Sequence, residues 1–191
     1  MEEVAKKPKY LKIIKKVNVD NLLEFIEKSN ISFFDDSRYN RKLSFFKCKT
    51  YFLIDRTHIK DKKIYNDFIF YFEEYLKIIK EEYGDGIIYN VQIPILYGGG
   101  IITPHIDAHR DMKYVHRIHI PLITNDKVIF TLSDKEFYLK KGEIVEVNNC
   151  NLHGVVNTNS EDHERLHIII DFAETKFLNF LSYKKQTLFK Y

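Results

Sequence analysis

His105, Asp107, His153 and Arg165 are the residues whose types and spacing could do chemistry in this chain. Two imidazoles and one carboxylate, the first pair bracketing Ile106, suit a divalent iron held through three cis positions, with three more left open. Asp107 reads as a direct ligand or as a group just behind the ligands. An H-x-D pair alone is a common coincidence. The distal histidine and an arginine 12 residues beyond it make the set more specific. Guanidinium is a planar, permanently charged fork that grips a carboxylate in two places. Together the four residues describe a metal site working beside an anion-binding arginine.

Strands are needed to position them. In Arg117-Ile118-His119-Ile120 and again in Arg165-Leu166-His167-Ile168-Ile169-Ile170-Asp171, polar and aliphatic residues alternate. Side chains of a strand alternate with period two, so each segment sets an Arg-x-His pair on one face and aliphatics on the other. If the aliphatic face packs on helices, the Arg-x-His face looks inward, where an unpaired cation is costly unless an anion meets it. A bound dicarboxylate answers that requirement. The competing reading pairs Arg165, or His167, with Asp171 as an internal salt bridge. His119 is balanced between contact with a co-substrate and structural support, and His167 reads as structural.

From residue 87 onward the pattern predicts short strands at 87–96, 117–123, 127–132, 137–139, 144–148 and 165–172, with a further strand at 48–55. Gly98-Gly99-Gly100 separates two of them, and His153 lies in a turn-rich stretch at a strand edge. Upstream, Ile64, Phe68, Tyr71, Phe72, Tyr75, Leu76 and Ile79 recur at helical spacing over 61–83, and Gly84 supplies a stop. That aromatic stripe reads as core. A shorter helix begins at Asp20, which is placed to cap it. The fold class expected is mainly β with flanking helices, a double-stranded β-helix or cupin-type jelly roll. One domain is expected over 1–191, comprising a helix-rich part at 1–86, a jelly-roll core at 87–175 and a C-terminal extension at 176–191.

Composition bounds the rest. The 191 residues are 45% hydrophobic and 30% charged, the balance of a globular protein. The net charge of +3 gives no argument for nucleic acid. The lysines at 6, 7, 9, 12, 15 and 16 read as a solvated, partly frayed terminus. No apolar run reaches the ~18 residues of a membrane span, and the first 16 residues lack the apolar stretch of a secretory signal. Cys48 and Cys150 are not paired by spacing, so a reduced, cytoplasmic setting is expected. Cys150 reads as a partly buried free thiol, since a thiolate beside two histidines would suit zinc. His109, His116 and His163 are expected in exposed loops.

The segments Pro104-His105-Ile106-Asp107, Arg117–Leu122, Lys141–Asn148, His153–Asn157 and Arg165–Asp171 resemble the aspartyl/asparaginyl β-hydroxylase family, which includes free-proline hydroxylases. The resemblance covers about a third of the chain. It implies a double-stranded β-helix with Fe(II) at its mouth, bound by His105, Asp107 and His153. It also implies 2-oxoglutarate held through its C5 carboxylate by Arg165, with Arg117 and His119 lining the co-substrate site or meeting a substrate carboxylate. The activity implied is hydroxylation by O2 of an amino acid side chain, free or in a peptide, with succinate and CO2 as co-products. Peptidyl members of the family lack the carboxylate ligand, so Asp107 resembles the free amino acid branch; the loop Ala108–His116 is longer than in the peptidyl branch. Two other classes fit the residues more loosely: a non-catalytic cupin that binds a carboxylate ligand, and a zinc cupin isomerase.

Overall fold

The computed structural model describes residues 3–29, 31–33 and 45–182; residues 183–191 of the expected extension lie outside them. Ten strands, all paired antiparallel, form one strongly curled sheet: β1 (Leu11–Lys16), β2 (Phe45–Asp55), β3 (His58–Ile59), β4 (Gly86–His105), β5 (His116–Ile123), β6 (Val128–Leu132), β7 (Lys135–Phe137), β8 (Glu143–Val147), β9 (His153–Asn157) and β10 (Arg165–Glu174). The strand order is β1-β8-β5-β10-β4-β9-β6-β7, with β2 also on β4 and β3 on β2. This is the mainly β jelly roll that the strand pattern predicts.

Two helices, α1 (Asp20–Lys28) and α2 (Lys62–Tyr83), cover the outer face of the larger wall. The stripe on α2 is core, as its periodicity predicts: Phe68, Phe72, Tyr75 and Ile79 are fully buried. Phe68 stacks on Phe72 at 4.7 Å between ring centroids, and Phe72 on Tyr75 at 5.4 Å. Burial of each such ring contributes roughly 2–3 kcal/mol. Asp61 accepts from the Lys63 and Ile64 amides at the N-terminus, and the Gly84 amide donates back to the Lys80 carbonyl. Against this face lie Ile118, Ile120 and Leu122 of β5 and Leu166, Ile168, Ile170 and Phe172 of β10. Their odd-numbered neighbours therefore point into the barrel, where a second cluster (Leu96, Ile102, Val128, Phe130, Val145 and Val155 among it) packs between the walls.

Several expectations need correction. The N-terminal lysine-rich segment is not frayed: β1 pairs with β8, and Lys7 is half-buried, donating to the Val115 carbonyl at 2.6 Å and to Asn149 Oδ1 at 2.9 Å. Asp20 does not cap α1; Asn18 Oδ1 accepts the Asp20 amide, and the Asp20 carboxylate meets Lys141. The expected strand at 137–139 is a hairpin arm at Lys135–Phe137. His116 is not in an exposed loop but is buried at the start of β5, between Glu146 and Glu174 and stacked on Tyr83. Cys150 is exposed rather than partly buried.

The largest departure is β4, which runs unbroken through Gly98-Gly99-Gly100. Its first part pairs with β10 and its last part with β9, while β2 follows it along both, so one strand passes from the larger wall to the smaller. Glycine is what permits that crossing. Gly99 has φ +72°, and a Cβ on Gly98 would overlap the Ser160 carbonyl of the loop packed against it. Gly98→Ala is expected to lower stability by about 1–3 kcal/mol, the usual range for overpacking. Thermal unfolding of the variant would record this as a lower Tm.

Candidate metal centre

The end of β4 and the start of β9 build the site. Their antiparallel register sets His105 directly opposite His153, with ring centroids 4.4 Å apart. Asp107, two residues past the end of β4, lies with its Oδ1 3.8 Å from His105 Nε2 and its Oδ2 3.8 Å from His153 Nε2. One donor atom from each of the three falls within 4.8 Å of the others, so the set could hold a single metal ion. No ligand from Cys150 joins it among the described residues.

Both rings are preset for that task. His105 Nδ1 lies 2.9 Å from the Thr103 carbonyl, and His153 Nδ1 lies 2.9 Å from the Asn151 carbonyl. A carbonyl can only accept, so each Nδ1 carries the proton and each Nε2 presents its lone pair. Burial pushes the His153 pKa down, only partly opposed by Asp107, and keeps the ring neutral. For Asp107, burial raises the pKa, but Arg117 and the two histidines together outweigh it and hold the carboxyl below its ordinary value. The Asp107 amide donates to the Asn149 carbonyl at 3.2 Å, so the Lys7–Asn149 bond ties the N-terminal segment to the site.

Behind the cluster lies an inner cavity of about 80 Å³, lined by Arg117, His119, Phe130 and Arg165 among others. Arg117 lines it, yet its guanidinium is already engaged. Nε and Nη2 each donate to Asp171 at 2.8 Å, and Nη1 reaches Asp107. Asp171 stands opposite Arg117 across β5 and β10 and also accepts from Asn90 Nδ2 at 2.7 Å. The internal salt bridge considered for Arg165 is therefore made by Arg117 instead.

Among the described residues Arg165 has no carboxylate against it and its Nε and Nη1 have no hydrogen-bond partner, although it is 1% exposed. Nη2 lies 2.7 Å from His167 Nδ1. Because guanidinium only donates, that nitrogen accepts and His167 is neutral, with its proton on Nε2. His167 Nε2 and His119 Nδ1 are likewise buried without partners. Burial pushes the Arg165 pKa down to about 10, Cys48 opposing weakly, so the group stays charged at neutral pH. Burial first, and Arg165 second, push His119 and His167 well below 6.5.

Sequence reasoning missed Asn90, Gln92 and Asn149. Asn90 and Gln92 sit at alternate positions of β4, and period-two alternation between polar and aliphatic residues over 90–95 was the signal available. Asn149 had none, since its role depends on the fold bringing residue 7 beside it.

A curled antiparallel jelly roll with a His–Asp–His cluster at its mouth and a buried cation behind is the architecture of a cupin-type protein with a candidate metal site. The family profile described as aspartyl/asparaginyl beta-hydroxylase matches residues 72–175. The chain belongs to that family and is an oxygenase of the hydroxylase type. No curated protein matches it significantly. Among solved structures it is similar to an oxidoreductase of the 2OG-Fe(II) oxygenase family from Burkholderia pseudomallei (11% identity, 80% of this chain and 77% of that one, TM-score 0.61). It is also similar to HygX from Streptomyces hygroscopicus with nickel and 2-oxoglutarate bound (9% identity, 86% and 83%, TM-score 0.61). A third is the viral collagen prolyl hydroxylase of Paramecium Bursaria Chlorella virus-1 in its 2OG complex (11% identity, 87% and 97%, TM-score 0.54). At these identities the likeness is one of fold. No helix among the described residues is long and apolar enough to cross a membrane.

Two stability predictions follow from this geometry. Asp171→Ala takes the carboxylate from Arg117 Nε and Nη2 and leaves Asp107 against the guanidinium, and is expected to cost about 3–5 kcal/mol; a double-mutant cycle with Arg117→Met by chemical denaturation measures the coupling. His119 and His167 take up protons more readily in the unfolded chain, which therefore binds more protons below its ordinary histidine pKa of 6.5. Stability should fall as pH drops through about 6.5, and His119→Gln with His167→Gln should flatten that slope in Tm against pH.

Proposed function

We propose that this protein is an Fe(II)- and 2-oxoglutarate-dependent dioxygenase that hydroxylates an unactivated C–H of an amino acid side chain, free or in a peptide. The observation that carries the reading is one cavity with a candidate metal triad at its mouth and, in its wall, a buried guanidinium with no carboxylate partner among the described residues. A buried cation with open donors has a large solvation deficit, and a carboxylate entering the cavity removes it. Two-ended recognition of this kind suits a 2-oxo dicarboxylate. Family membership and the 2-oxoglutarate-bound relatives of the same fold support it.

In this reading His105, Asp107 and His153 hold iron through Nε2, a carboxylate oxygen and Nε2. Neutral imidazoles and a carboxylate suit Fe(II), and three ligands leave room for co-substrate and oxygen. When bound, iron would supply the oxidising chemistry, in which 2-oxoglutarate and O2 give succinate, CO2 and the oxygen atom inserted into the substrate. Arg165 takes the C5 carboxylate through its open N–H groups, and His167 fixes its fork. His119 sits on the cavity wall where the co-substrate lies. Arg117 acts on Asp107 rather than on the co-substrate, holding that carboxylate ionised and aimed at the metal. The helices form part of the same domain as the barrel and buttress its outer wall.

Anaerobic Fe(II) with 2-oxoglutarate should give a weak visible absorption band, which His153→Ala should abolish. Arg165→Met should weaken 2-oxoglutarate binding about tenfold to a hundredfold, the worth of a hydrogen bond to a charged group. The same substitution should leave the ligand-free protein as stable or more so, because it removes an uncompensated buried charge. Succinate release that is unchanged in Arg165→Met would sink the assignment. An enzyme that binds 2-oxoglutarate but never forms succinate would instead be a carboxylate-binding cupin.

A further inference from the structure

A second cavity of about 360 Å³ opens outward from the metal cluster. It shares Gln92, His105, Asp107 and Arg117 with the inner one, so the two meet at the metal site. Its lining includes Phe52, Asp55 and Arg56 of the β2–β3 hairpin, which lies outside the family-matched residues 72–175. Asp55 pairs with His58 across this hairpin, leaving Arg56 and Thr57 as its two turn residues. Both have positive φ, +48° and +65°. Such two-residue turns ordinarily take Asn-Gly or Asp-Gly, because L side chains resist the left-handed region. This turn places an arginine there at a conformational cost, and observed strain of this kind is a pointer to function.

The turn is also built into the metal site. The Arg56 amide donates to Asn90 Oδ1 at 2.6 Å, and the Thr57 amide donates to the Tyr89 carbonyl at 2.8 Å. Asn90 in turn donates to Asp171, which holds Arg117, which holds Asp107. An unbroken chain of polar contacts thus fixes the distance between the turn and the metal cluster. The Arg56 guanidinium is accessible: its side chain is 51% exposed, and its ion pair among the described residues, Nε to Asp55 Oδ1, is long at 3.4 Å. Exposed pairs of that length are weak and easily exchanged. Lys60 approaches the same Asp55 carboxylate at 3.6 Å, so Arg56 competes for that anion with another cation.

We infer that Arg56 holds the carboxylate of a free amino acid substrate at the outer end of this cleft, with Asp55 offered to its ammonium group. The inference rests on the oxygenase reading above and names the substrate class for it. The cleft falls at the small end of ordinary ligand pockets, suiting a small molecule rather than a folded partner. Arg56 and Asp55 select for an unblocked α-amino acid, while the side chain is directed inward to His105 and Asp107.

The test follows 2-oxoglutarate turnover stimulated by each free L-amino acid, then by the α-amide and N-acetyl forms of the best one. Free amino acids are expected to stimulate and the blocked forms to fail. Arg56→Gly should raise the amino acid KM about tenfold or more, as loss of a hydrogen bond to a charged group does. Its Tm should be no lower than that of the parent, because glycine accepts positive φ. Arg56→Lys should recover part of the affinity. A structural arginine would give the reverse pattern, a lower Tm with KM unmoved. The inference is overturned if the α-amide serves as well as the acid, if Arg56→Gly leaves KM unchanged, or if no free amino acid stimulates an enzyme that still binds 2-oxoglutarate. Absence of the anaerobic Fe(II)–2-oxoglutarate band would count against the oxygenase reading itself.

Discussion

The uncompensated charge of Arg165 is the constraint around which the barrel interior is organised. A guanidinium almost wholly removed from water normally carries a carboxylate partner, and Asp171 lies only six residues along the same strand. The strand register assigns that carboxylate to Arg117. What remains is a cation stabilised within the protein by one neutral imidazole and by the strands that keep it in place. The aromatic core under α2 matters here because it holds those strands rigid from behind. Loss of that support would let the arginine reach water and relieve its solvation deficit.

A second consequence of the register is a division of labour between the two inward arginines. Arg117 is saturated by protein carboxylates and transmits position, whereas Arg165 is left open and can bind. Identical residue types, each two positions ahead of an inward histidine, thus come to different ends. Neighbouring strands alone decide which is which.

Much of this was legible in the sequence. Alternation in β5 and β10 revealed which side chains face inward, and the α2 stripe revealed what packs behind them. His105, Asp107 and His153 could be grouped by type and spacing. Pairing was not legible, because a sequence shows which face a residue occupies but not which strand lies alongside. That is why Asp171 was available to either arginine on paper, and why Lys7 passed for a solvated lysine. The glycine run misled for a related reason. Glycine signals a turn in isolation, yet here it serves a strand that must bend from one wall to the other and let a loop approach closely.

The pairing of His105 with His153 reaches beyond the finished site. These residues are 48 positions apart, and the strands bearing them belong to a sheet whose neighbours are mostly distant in the chain. Contacts of that kind are slow to form, since a long loop must close before any of them stabilises the fold. The His105–Asp107–His153 cluster is therefore expected to form late in folding rather than to nucleate it. Until β9 docks on β4 the two histidines stay apart, and the candidate metal site is a property of the completed barrel.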